Sequence, residues 1–248
     1  MAIALAVTAL LSLLFAAPAL AQSRGNAQAE QSQSLRERRP SPPTPPPVGR
    51  YMAESGEGFI LDRSGRHPLL RFDRRAETWV LRPSAAPRGD VIYRNDAGDE
   101  VLRVTPGGGM TVYTPRAPGG SPASFAGAGQ SLTPPTLGPV LLFRLMAQRS
   151  AMVSQALGRL VEVNLSGQRS ESLCVEALIV TTEAVIRIAR SPTAREYVED
   201  LRSITIVEGR RSGVTYSRGR LTVTVNPDEG MAGRPSSARV IRAILPQT

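Results

Sequence analysis

Between residues 50 and 115 the apolar positions come in runs of three or four. Phe59-Ile60-Leu61, Leu69-Leu70-Arg71-Phe72, Trp79-Val80-Leu81, Val91-Ile92-Tyr93, Val101-Leu102-Arg103-Val104 and Met110-Thr111-Val112-Tyr113 are separated by Gly, Pro, Asn and Asp, as at Ser64-Gly65 and over 95–98 and 106–109. Strand-length runs at roughly ten-residue spacing, each bounded by turn formers, predict an all-β meander or small barrel.

From residue 139 the period changes. Leu142, Leu145, Met146, Val153, Ala156, Leu157 and Leu160 recur three or four apart and predict a long amphipathic helix over 139–160, followed by a strand over 161–165. Cys174, Ala177, Leu178, Thr181, Ala184, Val185 and Ile188 mark the apolar face of a second helix over 172–190. Pro192 stops that helix but suits the first turn of another, with Ser191 as its cap and Ala194, Tyr197, Val198 and Leu201 as its apolar face. Alternation then predicts strands around Ile204 and Ile206, around Val214 and Tyr216, and from Leu221 to Val225. A polar loop over 226–237 and a fourth strand over 240–245 complete the region. The expected fold class is α+β, with the N-terminal meander or small barrel followed by helices packed on an antiparallel sheet in meander order.

Three further stretches read as non-globular. Residues 1–21 are an apolar run ending in Ala19-Leu20-Ala21, the pattern of a signal peptide cleaved after Ala21, although no Lys or Arg precedes the run. Residues 22–49 are polar and then proline-rich, from Pro40 to Pro47, and predict a disordered arm ending in a stiff polyproline segment. Residues 116–138 are mostly Gly, Pro, Ser and Ala and read as a linker. The expected layout is therefore signal peptide 1–21, arm 22–49, β-meander 50–115, linker 116–138 and an α+β domain over 139–248. The expected location is periplasmic or secreted, and no apolar run after residue 21 is long enough to cross a membrane.

Composition sharpens this only in part. Aromatic residues make up 4% of the chain, so the core must be aliphatic. Every one of the 30 basic residues is Arg, which follows from GC-rich coding more readily than from selection for bidentate recognition, since the arginines are spread along the chain. The net charge of +9 is uneven: residues 51–115 carry nine Arg and nine acids, whereas 116–248 carry sixteen Arg and ten acids. The basic excess in the last domain implies an anionic cell-wall polymer, a membrane surface or a protein partner, and export tells against nucleic acid. Arg210, Arg211, Arg218 and Arg220 fall at the turns of the last strands and form the candidate anion-binding patch.

The residues that carry chemistry are few. His67 is the single histidine and Cys174 the single cysteine, so neither the usual zinc set nor an internal disulfide can be built. Cys174 lies on an apolar helix face and reads as a buried thiol. Asp96, Asp99 and Glu100 read as a solvated hairpin turn before they read as a cation site. Glu196, Glu199 and Asp200 read as an exposed helix with an Arg195–Glu199 ion pair. The glycines at 107–109 lack the Lys of a phosphate loop. No catalytic residue, metal or cofactor is assigned.

Several segments together resemble a known family. They are Gly58-Phe-Ile-Leu-Asp-Arg-Ser-Gly65, Pro68-Leu-Leu-Arg-Phe72, Trp79-Val-Leu-Arg-Pro83, Arg88-Gly-Asp-Val-Ile-Tyr-Arg-Asn-Asp96, Ala189-Arg-Ser-Pro192 and Gly233-Arg-Pro-Ser-Ser-Ala-Arg-Val-Ile241. They are similar to an exported bacterial family, the domain of unknown function 4908. The resemblance covers roughly 50–244 and implies an envelope location, but no activity and no site residue. The functional expectation is a non-catalytic envelope protein that binds through its basic C-terminal domain. The alternative is a carboxylate-dependent cell-wall hydrolase, which needs a cleft with two facing acids.

Overall fold

The computed structural model describes residues 45–167 and 169–246. The expected signal peptide, and the expected arm up to residue 44, lie outside the described residues. Nine strand segments build one antiparallel sheet: β1 (Gly49–Ala53), β2 (Gly58–Asp62), β3 (Leu69–Phe72), β4 (Trp79–Val80), β5 (Arg82–Ala85), β6 (Val91–Arg94), β7 (Glu100–Val104), β8 (Met110–Thr114) and β9 (Ala117–Gly127). The strand order is β4-β3-β2-β1-β9-β8-β7-β6-β5. Its two edges are neighbours in the chain. Only Leu81 separates β4, which pairs with β3, from β5, which pairs with β6. One stretch thus joins both edges and curls the sheet into a near-closed up-and-down barrel. Phe59, Leu61, Leu70, Phe72, Leu81, Leu102 and Val112 fill it, none more than 2% exposed.

The barrel is the one the apolar runs predict, with two additions. β1 starts in the last residues of the expected arm. There the Tyr51 hydroxyl donates to the Pro47 carbonyl (2.7 Å) and Arg63 to the Pro46 carbonyl (2.7 Å), tying the incoming chain down. The second addition is a correction: residues 117–127, read as linker, form β9, which pairs with both β1 and β8 and completes the circuit. Its composition hides it because its inward positions, Ser121 and Ala123 opposite Val112 and Met110, need only small side chains. Gly120 has φ +90°, and a Cβ there would stand 2.6 Å from the Thr111 methyl and 3.0 Å from the Tyr113 ring. A glycine at this irregularity in the ladder lets Tyr113 lie close against the strand.

The second layer is a four-stranded sheet of β10 (Glu162–Ser166), β11 (Ser203–Glu208), β12 (Gly213–Ser217) and β13 (Arg220–Val225), ordered β10-β11-β13-β12. The α+β class holds, but the meander order does not. β10, β11 and β13 are parallel, and only the edge strand β12 is antiparallel. A helix connects β10 to β11, and such a crossover delivers a parallel neighbour. β12 then folds back on the far side of β13, which leaves β11 and β13 adjacent. Ile204, Ile206, Leu221, Val223 and Val225 are fully buried in this sheet.

Three α-helices occur among the described residues: α1 (Pro139–Leu157), α2 (Glu171–Ala189) and α3 (Ser237–Ile244). α2 is the centre of this layer. It packs on β11 and β13 and also against α1 and α3, so nearly every position along it is buried. α1 lies parallel to α2. At its start the N–H groups of Leu137 and Gly138 donate to Glu171 (2.7 and 3.0 Å), and farther along Arg149 pairs with Glu183 (2.7 Å). Residues 240–245, expected as a strand, belong instead to α3 and its end. Val240 and Ile244 are four apart, which is a helical spacing, and the Ser236 hydroxyl caps the helix by accepting from the Arg239 N–H (3.2 Å). The helix expected after Pro192 shrinks to one 3-10 turn, Arg195–Val198. Arg195 donates to the carbonyls of Ala156, Leu157 and Ala189 at the C-terminal ends of α1 and α2, where a cation is favoured, rather than to Glu199.

Barrel and second layer meet in an apolar cluster of Ile60, Leu69 and Leu132, with Val80 and Met231 packed on it. β2 is consequently buried on both faces. No described helix is long and apolar enough to cross a membrane.

Candidate functional site

A groove of about 1090 Å³ is lined by barrel residues on one side and by α2 and α3 on the other. The β6–β7 turn forms its acidic side. Asn95 shapes that turn, its Oδ1 accepting from the N–H groups of Ala97 (3.0 Å) and Asp99 (2.9 Å) while its amide donates to the Asp99 carboxylate (3.1 Å). Glu100 lies 3.5 Å from Arg103 and 3.9 Å from Arg94, whereas Asp96 is exposed. The opposite side carries Arg187 of α2 and Arg242 of α3, both exposed and without a carboxylate partner among the described residues. Trp79, Tyr113, Ile241 and Leu245 supply the apolar lining. Arg75 lies over the Trp79 ring at 5.4 Å and the Phe72 ring at 5.2 Å, a cation–π contact that steadies the indole. Burial, and then the neighbouring Glu100 carboxylate, push the Tyr113 hydroxyl above its ordinary pKa, so it stays protonated as a donor.

One end of the groove is a polar joint. Glu77, between β3 and β4, accepts from the Ser237 N–H (2.9 Å) and the Ser237 hydroxyl (2.5 Å). A carboxylate therefore sits on the N-terminus of α3, where the helix dipole favours negative charge. Arg234, with its side chain 2% exposed, stands 3.9 Å from the same carboxylate and donates to the Thr78 carbonyl. Gly233 is required beside it, since a Cβ would lie 1.9 Å from the Asn226 carbonyl oxygen. The segment from Gly233 to Ile241 is thus what fastens α3 to the barrel.

A family model described as a domain of unknown function, DUF4908, matches residues 30–244. The chain belongs to the DUF4908 family. The barrel, the second sheet and all of α3 fall within the DUF4908 region, while Leu245 and Pro246 of the groove lie just beyond it. Comparison with curated proteins and with solved structures finds no match.

The residues singled out from the sequence lie elsewhere. Arg210, Arg211, Arg218 and Arg220 are all exposed. In the β12–β13 pair, however, Gly213 faces Thr224 and Ser217 faces Arg220. The turn bearing Arg210 and Arg211 is therefore at one end of β12 and Arg218 with Arg220 at the other, about 17 Å away at strand spacing. They make two pairs, not one patch, and Arg218 lines a hollow together with Glu196, Asp200 and Arg202. His67 is in the β2–β3 loop and Cys174 is in the core of the second layer. Burial, and then the nearby Glu208 carboxylate, push the Cys174 thiol up to about 12, so it is not a nucleophile near neutral pH. Sequence reasoning missed Arg187, Arg242, Tyr113 and Trp79 as one constellation. The one available signal was that Trp79 is the only tryptophan in the chain.

Proposed function

We propose that this DUF4908 protein is a non-catalytic binding protein whose groove takes a peptide segment carrying charges of both signs. One observation carries the reading: the groove has Arg187 and Arg242, without a carboxylate partner among the described residues, on its helical side and the exposed Asp96 on its barrel side, with Trp79 and Tyr113 among its lining. A polyanion would meet the acidic turn; a polycation would meet the arginines. A ligand with an amine and a carboxylate separated by apolar atoms suits both. The segment over 1–21 supports export, and hence a periplasmic or secreted protein that meets peptide at the cell envelope.

The test uses the indole as its reporter. Short synthetic peptides of equal length, bearing only positive, only negative or both charges, are titrated while Trp79 emission is followed. The mixed-charge peptides shift the emission and the others do not, and Arg242→Glu or Asp96→Lys weakens the response. A response to the negative peptides alone would return the reading to simple anion binding. The carboxylates around the groove also keep a hydrolase reading open. Against it, Glu77 is held by Ser237 and Arg234, and Glu100 is paired with Arg94 and Arg103. Release of fragments from cell-wall material, lost in Asp96→Asn or Asp99→Asn, would favour that reading instead.

A further inference from the structure

The first turn of α1 is built for contact with something other than water. Val140, Leu141 and Phe143 are 72%, 50% and 74% exposed. At 100° per residue they bound an arc of about 160°, with Arg144 near its middle and the partly buried Leu142 behind. α1 contains no Asp or Glu, and its only charges are Arg144 and Arg149. Arg149 is paired with Glu183, while Arg144 is exposed and has no carboxylate partner among the described residues. A solvated helix face normally carries charges of both signs. Here three large apolar side chains surround a lone cation.

That composition suits one kind of surface. Apolar side chains need an apolar layer, and a cation in their midst needs negative charge at the boundary of that layer; the region beneath anionic lipid headgroups supplies both. A second copy of the chain docked on the same face would offer Arg144 only another acid-free helix. We propose that the first turn of α1 is a wedge that docks the protein on an anionic lipid surface, Val140, Leu141 and Phe143 entering at headgroup depth and Arg144 reaching the phosphates. One helical turn is about 5.4 Å long, comparable to the depth at which interfacial helices sit. The wedge has a rigid backing, because Glu171 holds the start of α1 and Glu183 its middle against α2. No residue of α1 lines the groove, so docking leaves the groove free.

The experiment is vesicle flotation of the chain from Gln22 onward, which omits the apolar run over 1–21 and keeps the compact unit Pro43–Thr248. Vesicles of phosphatidylcholine with phosphatidylglycerol are compared with phosphatidylcholine alone. The protein floats with the anionic vesicles and much less with the neutral ones. Val140→Ser with Phe143→Ser lowers binding at least tenfold. Arg144→Gln lowers it about fivefold, the loss expected for one basic residue at such a surface. All three positions are exposed, so thermal melts match the wild type and separate lost binding from lost folding. Undiminished flotation of the double serine variant would overturn the proposal, as would loss on reversing Arg210 and Arg211 instead. Absence of flotation, together with concentration-dependent self-association that Phe143→Ser abolishes, would overturn it in favour of a second copy of the chain.

Discussion

The Arg234 guanidinium lies 3.9 Å from the Glu77 carboxylate, joining the loop before α3 to the loop before β4. Neither group is reached by much water, their side chains being 2% and 10% exposed. The carboxylate also holds the N-terminus of α3, so this contact fixes one end of the groove.

Removing the cation of a buried pair leaves the carboxylate charged with no opposing charge, here with only its Ser237 donors, which is more damaging than never having had the pair. Arg234→Met is expected to lower stability by about 3–5 kcal/mol. Urea unfolding followed by Trp79 emission measures it. Adding Glu77→Gln to that variant costs less than Glu77→Gln costs alone, because part of what the carboxylate contributes is its pairing with Arg234 and the rest is its hold on Ser237. If the two effects simply add, the pair does not act as a unit.

The turn joining β12 to β13 contains a local conflict. Arg218 has φ +50° and Gly219 φ +73°, the pair of left-handed residues a two-residue hairpin turn demands. Glycine satisfies this freely and arginine does not. Arg218→Asn is expected to raise stability by between about 0.5 and 1 kcal/mol, read as a higher urea midpoint. A fall would mean that the arginine's place beside Glu196 and Asp200 outweighs the backbone strain.

Such details show where the sequence was readable. The barrel strands were legible because Phe59, Leu61, Leu70 and Phe72 must be apolar to fill the barrel, and that requirement is local. β9 was not, because its partners already supply the bulk and its own inward positions are Ser121 and Ala123. The parallel order of β10, β11 and β13 was invisible because Leu221 looks the same beside β11 as beside β12. α3 was misread because its apolar run over 240–245 is short enough to pass for a strand, whereas the four-residue spacing of Val240 and Ile244 and the Ser236 cap mark a helix. The groove was hidden most of all. Trp79, Asp96, Arg187 and Arg242 come from four separate stretches, and no local pattern connects them. The four arginines show the converse, since neighbours in the chain are parted by the length of one strand.

Glu176 predicts how stability depends on pH above the acid range. It is buried on α2, with one carboxylate oxygen lacking a hydrogen-bond partner among the described residues. Burial raises its pKa, Arg234 and Arg71 pull the other way, and Glu77 adds to the rise. An acid whose folded pKa is raised binds its proton more tightly in the native state. Its effect is therefore most favourable below the ordinary value of 4.5 and is lost as pH rises through the raised value. Glu176→Gln is expected to be more stable than the wild type at pH 7, with the difference shrinking as pH falls towards 4.5. An equal or lower midpoint for the variant at pH 7 would show that Arg234 and Arg71 compensate the charge in full.

Asp62 works in the opposite sense. Burial alone would raise its pKa, but four hydrogen bonds outweigh that and hold it below the ordinary value. Its Oδ1 accepts from the N–H (2.9 Å) and hydroxyl (2.7 Å) of Ser64, and its Oδ2 from the N–H of Leu132 (2.8 Å) and the hydroxyl of Ser131 (3.2 Å). Leu132 belongs to the apolar cluster that joins barrel to second layer, so this carboxylate secures that seam. A lowered acid contributes stability that is complete above its ordinary value of 3.8 and disappears as pH falls through the lowered one. Asp62→Asn turns an amide donor towards N–H and hydroxyl donors and is expected to lower stability by about 2 kcal/mol at pH 7. Below pH 3.8 the wild type should lose this advantage and approach the variant. Urea midpoints at a series of pH values check both parts. Variant and wild-type curves that stay parallel down to pH 2 would show that the asparagine disrupts the seam by shape, and that the charge on Asp62 contributes nothing.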